Sequence, residues 1–154
     1  MKISPLNLIS TPVGVVNSLG LDLNVGLSSQ DPMVGRIPTE PYEAYLTVFS
    51  PDGMFLDRIH LGQITPNRRS YFPISDLTRD LVPNLDHLAI VHRVPSRIAS
   101  KVNDLSKEIE LEKAPDYSLF RSYVEYSYPG GGNGSVIYDT PPGINGSSDP
   151  QRSS

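Results

Sequence analysis

The stretch "LGLDLNVGL", residues 19–27, sets the tightest limit on the fold. Leu19, Leu21, Leu23, Val25 and Leu27 occupy every second position. Side chains on a strand alternate between faces, so all five aliphatics lie on one side of a sheet. Gly20 and Gly26 leave the other side bare, where another backbone can approach closely. Fifteen prolines and twelve glycines, placed mostly between apolar runs, argue for many short elements joined by turns rather than for long helices.

The rest of the chain extends this β pattern. "YEAYLTVF" (42–49) and "MFLDRIHL" (54–61) flank "SPDG". Pro51 presets the first turn angle there and Gly53 accepts a positive one, which predicts a hairpin. "GQITPN" turns the chain into a strand "RRSYFPI", and Ser75 caps a helical turn through Leu81 that Pro83 stops. "DHLAIVHRV" (86–94) carries apolar residues on both faces and reads as a central strand. Residues 100–116 suit a short helix through Val102, Leu105 and Ile109, while Ile109 and Leu111 also suit a strand. "SLFRSYVEYSY" and "GSVIYD" form a last hairpin, and residues 28–41 a proline-punctuated connection. These features predict an all-β fold, an antiparallel β-sandwich or partly open barrel of about seven strands with at most one short helix. At 154 residues it forms one domain, 1–142, and residues 143–154 hold too little apolar content to order themselves.

Composition excludes several functions. The net charge of −4 disfavours a phosphate-tracking surface, so nucleic acid is not expected as a partner. With no cysteine there are no disulfides, thiolate nucleophiles or cysteine-bound metals. No run reaches the ~20 apolar residues of a membrane span. Pro5 and Pro12 interrupt the first sixteen residues before a signal-peptide core can form, so a cytoplasmic protein is expected.

The glycine cluster "GGGNGS" (130–135) lacks the lysine and the following helix of a phosphate loop. Asn133-Gly134 is a hairpin dipeptide, so the cluster is read as a turn. Two Asn-Gly-Ser sequons, at 133 and 145, are read, in the absence of a secretory signal, as coincidences of turn composition.

Motifs for catalysis are few. His87 and His92 lie five apart on one strand and so point to opposite faces. His92 shares its face with Leu88, Ile90 and Val94, and the plainer reading is a hydrogen-bonded histidine at the core margin. No Gly-x-Ser-x-Gly elbow is present, and no cofactor is implied. Arg121, Tyr123 and Glu125 share a strand face that could be solvated or line a groove. Arg68, Arg69, His92, Arg93, Arg97 and Arg121 all fall in the later part of the β region. If their strands are neighbours, these cations converge with Tyr123 on one rim, where arginine recognises a carboxylate or phosphate in bidentate fashion.

"YLTVFSPDGMFLDRIHLGQITPNRRSYFPISDL" followed by "LAIVHRVPSR" resembles the small β-sandwich of the sensory rhodopsin transducer family over residues 42–97. The shared features are a hairpin, Pro66 before Arg68-Arg69, the Asp76-Leu77 end, and a later strand carrying His92 and Arg93. The resemblance implies a cytosolic, oligomeric binding or signalling module, with Arg68, Arg69, His92 and Arg93 near the shared surface.

The leading expectation is therefore a non-catalytic binding module. It would bind a small anion or serve as an accessory subunit, through a protein partner or a homo-oligomer. Five of the eight tyrosines fall between Tyr117 and Tyr138 and supply contact area for such a role. Two other readings remain. A small metal-dependent β-barrel enzyme requires His60, His92 and Glu125 to converge, and a polysaccharide-binding module requires Tyr123 and Tyr138 in one exposed row.

Overall fold

A computed structural model describes residues 1–28, 40–65, 68–112 and 120–129, together with the backbone of 136–140. Two four-stranded antiparallel sheets face each other. The first orders β2 (Ile9–Val15), β7 (His87–Pro95), β4 (Tyr42–Phe49) and β5 (Phe55–Ile64) side by side. The second orders β10 (Val136–Thr140), β9 (Arg121–Ser127), β3 (Asp22–Ser28) and β6 (Arg69–Pro73). A two-stranded ribbon pairs β1 (Lys2–Ile3) with β8 (Ile109–Glu110). Two short helices, α1 (Ile74–Thr78) and α2 (Ser96–Ala99), follow β6 and β7. The all-β antiparallel class is as the alternation predicts, and the sheets do not close into a barrel.

Alternation fixes what fills the space between the sheets. Val13, Val15, Ala44, Leu46, Val48, Ala89 and Val91 from the first sheet meet Leu23, Val25, Leu27 and Val124 from the second, all buried. β7 is central, bonded to β2 on one side and β4 on the other. The 50–54 turn forms as read, with Gly53 N–H donating to Ser50 O (2.9 Å) and Gly53 at φ 90°.

A second apolar cluster covers part of the first sheet's outer face. Leu6, Leu8, Val94 and Ile98 are its buried members there, with Val102, Leu105 and Ile109 packed against them. Ser4 Oγ donates to Leu105 O (2.7 Å), tying the start of the chain to the segment after β7. The cover stops halfway. Leu88 is 46% and Phe55 54% exposed at the other end of the same face, beside exposed Pro12 and Gly14.

Several expectations need correction. β3 starts at Asp22, because residues 17–19 form a 3₁₀ turn ending on Gly20 at φ 68°. The Asp86 carboxylate holds that turn by accepting from Ser18 N–H (2.7 Å) and Oγ–H (2.8 Å), which leaves Leu19 64% exposed. β2 runs through residues assigned no element from sequence; as an edge strand it tolerates Pro12, whose presence had masked it. Ser75 does not cap α1, whose N-cap position is Pro73. Its Oγ accepts from Leu23 N–H (3.1 Å) and so docks the helix on β3. β5 continues to Ile64, past the turn expected at Gly62. The helix expected after residue 100 is absent over its described residues: α2 is earlier, and Ile109–Glu110 take the extended alternative. β9 and β10 pair as the expected hairpin. The glycine cluster, its sequon and residues 141–154 lie outside the described residues.

Candidate functional site

The second sheet's outer face is a small grid set by register. Ser28 lies between Arg69 and Arg121, Gly26 between Tyr71 and Tyr123, and Asn24 between Pro73 and Glu125. One row is cationic, the next aromatic and the third largely polar. Gly26 shapes the middle row, since a Cβ there would stand 2.7 Å from Cε1 of Tyr71; only glycine lets that ring lie across the strand. Tyr71 is 61% exposed. The Arg69 guanidinium stacks 4.4 Å from the ring centre of Tyr123 and donates to the Tyr71 hydroxyl (3.1 Å). The hydrogen bond to Tyr71 is the leading cause that raises the pKa of Arg69. Two aromatic supports thus preset the direction of an exposed guanidinium, which reduces the entropy lost when it engages a ligand. Arg121 donates to Phe120 O (2.8 Å), and Glu125 accepts from Asn24 Nδ2 (3.4 Å).

The expected convergence of six basic residues is divided by the fold. Arg69, Arg121 and Tyr123 share this face, and exposed Arg68 immediately precedes β6. Arg97 lies on α2, where its Nε donates to Glu40 (2.9 Å). His92 and Arg93 are adjacent on β7 and therefore point to opposite faces of the first sheet. Both are buried, so neither joins a rim.

His92 sits under the cover. Its Nδ1–H donates to Leu6 O (2.7 Å) and its Nε2 accepts from Thr47 Oγ1 (2.7 Å), which in turn accepts from Arg58 Nε (3.2 Å). Burial pushes its pKa down to about 4, outweighing the hydrogen bond to Leu6 that favours the charged form, so it is neutral near pH 7. Both nitrogens are engaged in structural bonds.

Arg93 is 1% exposed and points between the sheets. Its guanidinium donates to Ser28 O (2.6 Å), to Arg121 O and to Ser122 Oγ (3.1 Å), and lies over the ring of Phe120 (5.1 Å). Thr11 Oγ1 completes the polar corner at 3.2 Å from Ser122 Oγ. Burial pulls the pKa of Arg93 down to about 9, still well above neutrality.

A third cluster centres on Glu43, which accepts from His60 Nε2 (2.8 Å), Ser96 Oγ (2.5 Å) and Gln63 Nε2 (3.1 Å). Burial opposes its charged form, and the hydrogen bonds led by Ser96 and His60 outweigh that and lower its pKa. Because Ser96 donates to the carboxylate rather than to His60, the trio lacks the serine–histidine contact that nucleophilic hydrolysis needs.

His60, His92 and Glu125 are not brought together: the two histidines belong to the first sheet and Glu125 to the outer face of the second. Tyr138 is registered opposite Val124, and Tyr123 opposite Asp139, so the two tyrosines are not paired across the ladder. Tyr71 was missed as a site residue, although its spacing from Arg69 in "RRSYFPI" was legible. No described helix is long and apolar enough to cross a membrane. Comparisons with protein-family models, with curated proteins and with solved structures return no match.

Proposed function

We propose that this protein is a non-catalytic binding module that recognises a small carboxylate- or phosphate-bearing ligand on the outer face of its second sheet. One observation carries the reading: the Arg69 guanidinium is exposed, stacked on Tyr123 and bonded to Tyr71, beside Arg121 across Ser28. A planar donor fork held this way suits two-point recognition of an oxyanion, and the Tyr71 ring offers an adjacent apolar contact. The sequence resemblance of residues 42–97 to a binding family points the same way.

Inorganic phosphate is the probe. Titration at constant ionic strength, followed by amide resonances, is expected to shift residues 28, 69, 71, 121 and 123 together. Arg69→Ala should weaken that response at least tenfold. Shifts scattered over the surface, or unchanged in Arg69→Ala, would overturn the reading.

The uncovered half of the first sheet favours a second reading, self-association. Leu88 and Phe55 present apolar surface that the cover leaves bare. Light scattering should then show an oligomer that Leu88→Lys dissociates, and a monomeric wild type would exclude it.

A further inference from the structure

Beneath the cationic row of the second sheet lies another positive charge. Ser28 and Arg121 face each other where the β3–β9 ladder ends, and the carbonyls of both accept from the Arg93 guanidinium, which crosses from the first sheet. Arg93 thus occupies the place of the next rung. Removing a guanidinium from water is costly unless hydrogen bonds or a countercharge replace its hydration. Three acceptors and the face of Phe120 replace part of that hydration. Among the described residues no carboxylate lies within ion-pair distance of Arg93. Its charge is therefore left without a described counterion, on the inner side of the same two residues whose outer side belongs to the proposed site.

We infer that Arg93 is the buried half of the anion site: through a single layer of backbone, its charge strengthens binding of an oxyanion held outside by Arg69 and Arg121. The inference rests on the reading of that face as an anion site. One physical effect supports it: between a buried charge and a surface ligand the effective dielectric is far below that of water, so the attraction is not screened away.

The test uses the whole chain, inorganic phosphate at constant ionic strength, and three proteins besides wild type: Arg69→Ala, Arg93→Lys and Arg93→Met. In wild type the Arg93 side-chain N–H resonances, sheltered from solvent exchange, are expected to shift in step with Ser28 and Arg69. Arg93→Met should bind phosphate at least tenfold more weakly, and Arg93→Lys should stay within about threefold of wild type, although both melt at lower temperature. A purely structural residue would lower the melting temperature without separating lysine from methionine in affinity. Folded Arg93→Met with wild-type affinity, or Arg93→Lys as weak as Arg93→Met, overturns the inference. If neither variant folds, unmoved Arg93 resonances in a responding wild type overturn it. A phosphate response lost in Arg69→Ala but indifferent to Arg93 removes this inference alone. No response in wild type removes the anion reading with it.

Discussion

The outer faces of the two sheets put similar residues to opposite uses. On the first, the start of the chain and the segment after β7 cover half the surface, and the polar group trapped there, His92, is neutral with both nitrogens bonded. On the second, among the described residues, the Arg69 side chain lies exposed against two tyrosines. The contrast teaches that exposure, more than residue type, decides whether a charged or titratable group becomes part of the scaffold or stays free to meet a ligand. Arg93 breaks the pattern by keeping its charge while buried, and it does so next to the surface arginines.

That comparison can be broken at four points. The largest effect belongs to Arg93→Ala, which strands the carbonyls of Ser28 and Arg121 and opens a cavity beside Phe120. Urea denaturation should show a loss of roughly 3 kcal/mol or more. A loss under about 1 kcal/mol would mean that water replaces the guanidinium without difficulty.

Acid should strike the covered face next. The pKa of His92 is depressed from 6.5 to about 4 in the folded chain, so its contribution is complete above about pH 6.5 and lost as pH falls towards 4. On the order of 3 kcal/mol is at stake, judged by urea midpoints at pH 7 and 4.5. His92→Gln should flatten that slope, and an equally steep slope in the variant would assign the acid sensitivity elsewhere.

Gly26→Ala is a milder intervention. Its Cβ displaces the Tyr71 ring, which is exposed enough to swing away, so stability should change by about 1 kcal/mol or less. The phosphate response at Tyr71 should nevertheless collapse; an unchanged response would remove Tyr71 from the site. Smallest of all is Arg97→Ala, which loses an exposed pairing with Glu40. A change below about 1 kcal/mol is expected, with phosphate affinity untouched. A weakened affinity would return Arg97 to the site from which the fold separates it.

The fold and the site were legible to different extents. Strand-forming residues in 42–49, the apolar run of 86–94 and the shared face of Arg121, Tyr123 and Glu125 named these strands. The spacing of Arg69 and Tyr71, and of Arg121 and Tyr123, already placed each pair on one side of its strand. The Asp86-held turn that shortens β3 was hidden, because the carboxylate lies 68 residues from the serine it binds. β2 was hidden because Pro12 reads as a breaker unless the strand is known to be an edge.

By itself the sequence determined the all-β class and, within the strands it revealed, which side chains share a face, since a period of two is a property of the local backbone. Only the tertiary structure decided which faces meet water. It set β6 and β9 on either side of β3, so that Arg69 and Arg121 share a row, and it turned Arg93, one residue from His92, into the space between the sheets. Neighbouring residues on a strand always diverge, and which of them is buried depends on the layer packed against it, a matter of contacts far apart in the chain.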